Sequence, residues 1–155
     1  MTHGYLFRQM DDADAREISG WRYGPPYDFY DSNAGPADLA ELLDPQSRTN
    51  VYFSALDGEN RLVGFFQYEE SDEAVDVGLG LRPDLTGRGL GVEFVLAGPA
   101  FARERFSPRR FTLSVATFNG RAIAVYERVG FRRGEIHTHE TNGGEYEFLS
   151  MWREA

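Results

Sequence analysis

The sequence predicts an α/β domain in which strands and helices build one layered structure. The first observation is the order of the predicted elements, βααβββαβαββ, which interleaves helices and strands instead of separating them into halves. The second is the composition of the 155 residues, of which 41% are hydrophobic and 14% aromatic, enough for a packed core. No internal repeat, low-complexity tract or linker interrupts the chain. We therefore expect one domain over residues 1–155.

The first half of the chain is predicted to hold a strand, two helices and a hairpin. Asp11 and Asp12 supply a helix N-cap, and Ala13, Ile18 and Trp21 follow at helical spacing. The other predicted elements are a strand at 4–10, an irregular loop at 22–35, a helix at 36–43 with proline in its first turn, and strands at 51–56 and 62–68. Turn-forming residues at 57–60 join the last two strands as a hairpin.

The second half is predicted to alternate strands and helices. The elements are a strand at 74–81, a helix at 89–106, a strand at 111–116, a helix at 120–128, and strands at 131–137 and 146–152 joined by a turn at 142–144. Pro99 removes a hydrogen bond inside the first helix. Apolar spacing continues through it from Leu90 to Phe101, so we expect one kinked helix rather than two.

The composition excludes several classes of protein. The chain has no cysteine, which rules out disulfides, thiolate metal sites and a cysteine nucleophile. Its net charge of −9 disfavours nucleic acid and anionic membranes as partners, because both repel an acidic surface. Residues 1–5 lack a basic segment followed by an apolar run, and no stretch could span a bilayer. These observations predict a soluble, cytoplasmic protein.

The segment from Leu79 to Gly91 carries a strand into a glycine-rich turn that opens a helix. Gly87, Gly89 and Gly91 let the backbone approach a bulky anion, and free N–H groups at the helix start can bind it. Arg88 adds a positive charge. The alternative is that the glycines only make a tight strand-to-helix connection. A P-loop is excluded because no Gly-Lys-Ser or Gly-Lys-Thr follows, and the spacing is not the GxGxxG of dinucleotide sites.

A second segment, residues 115–131, combines a strand end with a helix. Asn119 suits the end of the strand, where its amide caps the next helix or holds the backbone of a cofactor. Ala122 and Tyr126 are four residues apart and therefore share one helical face. The small side chain leaves room for a cofactor, and the phenol reaches the same side. The alternative is that Tyr126 is a core residue with its hydroxyl in water.

Together the two segments resemble the signatures of the GNAT acetyltransferases. The first signature, Gln/Arg-x-x-Gly-x-Gly/Ala, falls on residues 86–91, with Thr86 where the family usually has glutamine or arginine. The second signature falls on Asn119, Ala122, Tyr126, Gly130 and Phe131, all in register. The element order extends the resemblance over nearly the whole chain.

The resemblance implies the GNAT fold, a twisted, mostly antiparallel sheet with helices on both faces and a central V-shaped opening. It also implies acetyl-CoA as cosubstrate, with Tyr126 donating a proton to the departing CoA thiolate and the pantetheine arm pairing with backbone near Gly80 and Leu81. The implied cofactor-binding residues are Gly80, Leu81, Thr86, Gly87, Arg88, Gly89, Leu90, Gly91, Val92, Asn119, Ala122 and Tyr126. No metal site is predicted.

Acetyl transfer needs a neutral amine, so some group must take the proton of the amine. Asp76 is the candidate, because it is the acid within an otherwise apolar strand that leads to the glycine-rich turn. The alternative is that Asp76 faces solvent or caps a neighbour. His137 and His139 share one strand face, but they lack a third ligand and are expected at the surface rather than at a metal.

The loop from Trp21 to Asp31 is dense in aromatic and acidic residues, a combination that favours cations. In GNAT proteins the corresponding region borders the acceptor pocket, so the resemblance implies acceptor contacts here. The candidate residues are Trp21, Tyr27, Asp28, Tyr30 and Asp31. The alternative is a small aromatic core that pins a long loop.

These inferences predict an N-acetyltransferase that moves the acetyl group of acetyl-CoA directly to a primary amine. The acceptor is expected to be cationic: a small amine, a polyamine, an aminoglycoside or a protein N-terminus. The alternatives are a non-catalytic acyl-CoA-binding sensor of the same fold and an unrelated nucleotide-binding module. The expected partner is a small-molecule or peptide amine, neither nucleic acid nor membrane, and a homodimer is left open.

Overall fold

Seven strands form one sheet in the computed structural model, which describes residues 4–155. The strands are β1 (Leu6–Gln9), β2 (Tyr52–Leu56), β3 (Leu62–Glu70), β4 (Ala74–Leu81), β5 (Arg110–Ala116), β6 (Arg132–Thr141) and β7 (Gly144–Glu154). Their spatial order is β1-β2-β3-β4-β5-β7-β6. β4 and β5 are parallel, and every other neighbouring pair is antiparallel. The predicted mixed, mostly antiparallel sheet is confirmed.

Five α-helices connect the strands within the described residues. They are α1 (Asp12–Ser19), α2 (Pro36–Leu43), α3 (Pro45–Arg48), α4 (Gly91–Phe106) and α5 (Gly120–Arg128), with shorter 3₁₀ helices at Tyr27–Tyr30, Ser32–Ala34 and Pro83–Leu85. Asp11 caps α1 by accepting a hydrogen bond from the Asp14 N–H over 2.8 Å. The four-residue α3 was not predicted, because so short a helix has no apolar periodicity.

The bounds of three elements, α4, β6 and β7, differ from the predictions for local reasons. α4 begins at Gly91 rather than at residue 89, because Gly87 and Gly89 adopt φ of +74° and +77° and lie outside the helix. β6 and β7 are longer than predicted. The turn between them places Asn142 and Gly143 at φ of 52° and 80°, which suits a two-residue hairpin and lets pairing continue to the turn.

Helices pack on both faces of the sheet, as predicted. One core lies under α4 and α5 and includes Phe66, Phe94 and Ile123. The other lies under α1 and α2 and includes Ile18 and Leu42. Strand side chains alternate between the two cores, because successive residues of a strand point to opposite faces.

α4 runs unbroken through Gly98 and Pro99, both of which are buried. A Cβ atom at Gly98 would overlap the ring of Phe66, so glycine at this position lets the helix approach the sheet closely. The Gly98 carbonyl accepts a hydrogen bond from the Tyr68 hydroxyl over 2.8 Å. The prediction of one helix through Pro99 is confirmed.

Candidate active site

The sheet opens between β4 and β5. The two strands pair only over residues 74–76 of β4 and 110–112 of β5. Within the described chain, residues 77–81 and 113–116 continue as strands without pairing with each other. A cavity of about 500 Å³ lies at this divergence and is lined by residues of both strands. The central opening implied by the resemblance is therefore present.

Backbone groups of β4 face this opening. The Arg82 N–H donates to the Val63 carbonyl over 2.8 Å. Because hydrogen-bonded pairs alternate along an antiparallel ladder, Arg82 and every second residue before it bond towards β3. The N–H and C=O groups of Leu79 and Leu81 therefore point to the opening.

The two residues implied for the pantetheine arm differ in what they offer. Gly80 pairs with Phe65 of β3, and a Cβ atom at Gly80 would overlap the Phe65 ring. Leu81 faces the opening, but its carbonyl already accepts a hydrogen bond from the Tyr23 hydroxyl over 2.7 Å. Leu79, which sequence analysis did not single out, presents its backbone groups to the opening where β5 no longer pairs with them.

The turn between β4 and α4 presents backbone N–H groups. Within residues 4–155, the N–H groups of residues 88–92 have no hydrogen-bond acceptor. Nothing lies within 4 Å of a Cβ atom built on Gly87 or Gly89, so the space beside the turn is open. Unpaired N–H groups at a helix start, with the positive end of the helix dipole behind them, fit a phosphate group.

The other residues of this turn have different surroundings. Thr86 lines the cavity, but its hydroxyl donates to the Pro83 carbonyl over 2.7 Å. Arg88 and Leu90 are exposed beside the turn, and Val92 is half-buried in the first turn of α4. A Cβ atom at Gly91 would lie in ordinary contact with Val125 of α5, 3.4 Å away. The Thr86 hydroxyl thus stabilises the turn through its hydrogen bond to the Pro83 carbonyl.

Asn119 joins the start of α5 to the loop that precedes α2. Its Oδ1 accepts a hydrogen bond from the Ala122 N–H over 3.1 Å, which is the predicted helix cap. Its Nδ2 donates to the Tyr30 hydroxyl over 3.2 Å. Asn119 is only 8% exposed, and both the oxygen and the nitrogen of its amide hydrogen-bond to groups of the protein. Ala122 is half-buried and packs against the core under α4 and α5.

Tyr126 lines the cavity from the second turn of α5. Its ring packs edge-on to Phe131, with centroids 6.1 Å apart. Within the part of the chain that the structure describes, no group hydrogen-bonds to its hydroxyl. Burial raises the pKa of Tyr126 above its ordinary value, and nearby Tyr30 adds to the rise. The phenol is therefore protonated at neutral pH and free to donate a proton into the cavity.

The segment from Trp21 to Gly35 crosses the opening. Trp21, Tyr27, Tyr30 and Asp31, four of the five candidates for acceptor contacts, line the cavity. The segment is also anchored as an aromatic cluster, which was the alternative: Phe29 packs on Phe118, Tyr146 and Phe148. The Arg121 guanidinium lies 4.1 Å from the centre of the Tyr27 ring, and Asn142 donates to the Phe29 carbonyl over 2.8 Å.

Three acidic candidates are placed differently. Asp31 lines the cavity and accepts a hydrogen bond from the Tyr23 N–H over 2.8 Å. Asp28 is exposed and does not line the cavity. Asp76 lies where β4 and β5 part, also outside the lining, and accepts a hydrogen bond from the Thr112 hydroxyl over 2.7 Å.

The environment of Asp76 changes its ionisation. Although part of the residue is open to solvent, the atoms packed around its carboxylate raise the pKa above the ordinary value. The hydrogen bond from Thr112 lowers the pKa, and the negative charge of Glu69 raises it again. The carboxylate therefore takes up a proton more readily than an aspartate in water.

Sequence analysis missed a second group of cavity residues. Asp38 and Glu41 of α2, Tyr52 of β2 and Gln67 of β3 all line the cavity. The signal was present on α2, where Asp38 and Glu41 are three residues apart and share a face next to the buried Leu42. Nothing local indicated that this helix would lie over the same sheet face as the opening.

His137 and His139 lie on β6. His139 is exposed, as expected, and it also lines the cavity and packs against Phe148, with ring centroids 5.9 Å apart. His137 is exposed, and its Nδ1 lies 3.3 Å from the Ser150 hydroxyl. Among residues 4–155, no three histidine or acidic side chains are arranged to hold a metal ion. None of the described helices is long and apolar enough to cross a membrane.

Comparison with curated proteins gives partial matches to one activity. Mycothiol acetyltransferase from Salinispora tropica is 33% identical over 110 residues, which cover 66% of this chain and 36% of that protein. Mycothiol acetyltransferase from Salinispora arenicola is 41% identical over 61 residues, 39% of this chain and 20% of that protein. The chain therefore spans little more than a third of the length of these relatives at most.

Solved structures share the architecture over almost the full chain. An acetyltransferase of the GNAT family from Bacillus anthracis superposes with a TM-score of 0.77 at 15% identity, over 99% of this chain and 96% of that one. Spermidine N-acetyltransferase from Vibrio cholerae, solved with CoA and spermine, gives 0.76 at 17% identity, over 97% and 95%. The implied GNAT fold is confirmed. Since the family described as the acetyltransferase (GNAT) domain also matches residues 5–132, this chain belongs to the GNAT acetyltransferase family.

Proposed function

We propose that this protein transfers the acetyl group of acetyl-CoA to a cationic primary amine by direct attack. The observation that carries the proposal is the unpartnered phenol of Tyr126, which faces a cavity where β4 and β5 part. A merely structural tyrosine would bury its ring and hydrogen-bond its hydroxyl within the fold. A non-catalytic acyl-CoA sensor of the same fold would not need a proton donor at this position.

The residues present fit the cosubstrate. The N–H groups of residues 88–92 would hold the pyrophosphate, with Gly87 and Gly89 keeping the approach open. The backbone of Leu79 would hydrogen-bond to the pantetheine arm, because its N–H and C=O groups face the opening. Because Gly80 has no side chain, the ring of Phe65 can occupy its position beside the cavity.

Acetyl-CoA supplies a thioester carbonyl. The nitrogen of the amine forms a bond to the carbonyl carbon, and the bond between carbon and sulfur breaks. Tyr126 donates its phenolic proton to the departing sulfur, which its position at the cavity and its unpartnered hydroxyl support. No enzyme nucleophile is needed, and the absence of cysteine in the sequence agrees with this route.

The proton released by the amine needs an acceptor, and we assign this role to Asp76 acting through a bridging water. Asp76 does not line the cavity, so it cannot touch the amine directly. It lies on the same sheet face as Gly78, which does line the cavity, and at the last paired position of β4. Its raised pKa makes it a better proton acceptor than an ordinary aspartate.

A cationic acceptor agrees with the walls of the cavity. Tyr30 and Trp21 present aromatic rings and Asp31 adds a carboxylate, whereas the ring of Tyr27 already lies against the Arg121 guanidinium. The relatives named above are a mycothiol acetyltransferase and a spermidine N-acetyltransferase, and the structure of the latter with spermine supports polyamines as one class to test. Aminoglycosides, small amines and protein N-termini belong in the same comparison.

Two linked measurements test the proposal. Thermal unfolding with acetyl-CoA, NAD or ATP should show stabilisation by acetyl-CoA alone, because a ligand that binds only the folded state raises the melting temperature. Release of free CoA thiol should then be measured with a panel of cationic, neutral and acidic amines. Stabilisation by acetyl-CoA without thiol release on any amine would favour the sensor. Stabilisation by ATP or NAD instead would overturn the assignment of the turn.

A further inference from the structure

The wall of the cavity formed by α2 is acidic. Asp38 and Glu41 both line the cavity and lie three residues apart on one face of the helix. The adjacent Leu42 is only 4% exposed and packs in the core between α2 and the sheet. This packing holds the acidic face of α2 against the cavity.

The sheet opposite contributes the phenol of Tyr52 to the cavity, and the Glu69 carboxylate lies outside the lining. Tyr52 is 5% exposed, and its phenol lines the cavity near the Glu41 carboxylate. Burial raises the pKa of Glu41, and the negative charges of Glu69 and Asp38 raise it further, whereas the nearby phenol of Tyr52 lowers it. The surroundings of Glu41 thus make its carboxylate costly to ionise.

The protein does not neutralise this wall. Within residues 4–155, no arginine or histidine forms an ion pair with Asp38, Glu41 or Glu69. A half-buried carboxylate without a cation lowers stability, and a bound positive charge would relieve that cost. The charge that suits the wall is not the amine that reacts, because that nitrogen must be neutral when it attacks the thioester.

Resting on the proposed function, we propose that Glu41 selects acceptors that carry a second cationic group, separate from the amine that is acetylated. The cavity has room for such a molecule, since about 500 Å³ lies within the usual size of a small-molecule site. The acetyl donor enters where β4 and β5 part, and α2 forms another wall of the same cavity. A linear diamine could therefore present one nitrogen to each wall.

The test compares 1,4-diaminobutane with butylamine, which has the same chain length but one nitrogen. In the wild type, KM for the diamine should be lower than KM for butylamine by about tenfold, the effect of one ion pair of moderate strength. Glu41→Gln should raise KM for the diamine about tenfold and leave kcat for both amines, and KM for butylamine, within about twofold. Glu41→Asp keeps the charge and should retain part of the preference.

Glu104→Gln is the matched control, because it removes the same charge from an exposed position of α4. It should leave both KM values unchanged, whereas equal effects of the two variants would assign the preference to overall charge and overturn the inference. An equal change for diamine and monoamine in Glu41→Gln would also overturn it. Failure of the wild type to acetylate any amine would overturn the proposed function and this inference with it.

The melting temperature of Glu41→Gln distinguishes a selective role of Glu41 from a structural one. Because its pKa is raised in the folded protein, ionised Glu41 lowers stability at pH values above that pKa and costs nothing below the pKa of the unfolded chain. Glu41→Gln should therefore keep or raise the melting temperature at pH 7, with a smaller gain at pH 4. A lower melting temperature together with weaker binding of both amines would overturn the selective role.

Discussion

Removing the hydroxyl of Tyr126 isolates the proton donor from the fold. In Tyr126→Phe the ring keeps its packing against Phe131, and no hydrogen bond within residues 4–155 is lost, since none reaches the hydroxyl. We therefore expect a melting temperature close to that of the wild type. The thermal shift caused by acetyl-CoA should also persist, because the backbone of residues 88–92 is untouched.

The expected loss appears only in the chemical step. General acid catalysis contributes about 10²–10⁴ in rate, so kcat should fall by this factor. In free energy the loss is about 3–5 kcal/mol of transition-state stabilisation. KM should change little, because the phenol is assigned to the transition state and not to ground-state binding.

The assay follows release of the CoA thiol at saturating acetyl-CoA over a range of acceptor concentrations. Tyr68→Phe is the matched control: its buried hydroxyl donates to the Gly98 carbonyl over 2.8 Å and lies outside the cavity. That variant should lose about 1–3 kcal/mol of stability while its kcat per folded molecule is kept. If Tyr126→Phe turns over at the wild-type rate on a verified acceptor, Tyr126 is not the acid.

Two further changes test the turn and the proton acceptor. Gly89→Val should abolish stabilisation by acetyl-CoA while the protein stays folded, because φ of +77° costs a branched residue about 1–2 kcal/mol or forces the turn to move. The control is Gly4→Val, which lies at φ of +86°, is equally uncrowded and carries the same strain away from the site. This control should keep the stabilisation by acetyl-CoA. Asp76→Asn should lower kcat/KM about 10²-fold and remove the acidic limb of the pH profile. In the wild type, activity should rise with pH through the pKa of Asp76, which is raised above that of an ordinary aspartate. An unchanged pH profile in Asp76→Asn would remove Asp76 from the proton path.

Local chemistry explains most of what could be predicted. Helices and strands followed from apolar periodicity, and the cap at Asn119 from its position before a helix. The start of α4 was misplaced by two residues because glycine spacing does not reveal that Gly87 and Gly89 have positive φ. The α3 helix was not predicted because its four residues carry no periodic pattern.

The sequence by itself determined the family, the order of the elements and the two segments that meet at the opening, because glycine spacing and helical register act over a few residues. Only the tertiary structure decided which acids share the cavity. It brings Glu41 to the wall and leaves Asp76 and Asp28 outside it, although Asp76 is on the strand that leads to the turn. The packing of helices on the sheet sets the distances between side chains that are far apart in the chain. No local sequence pattern predicts where α2 packs on the sheet.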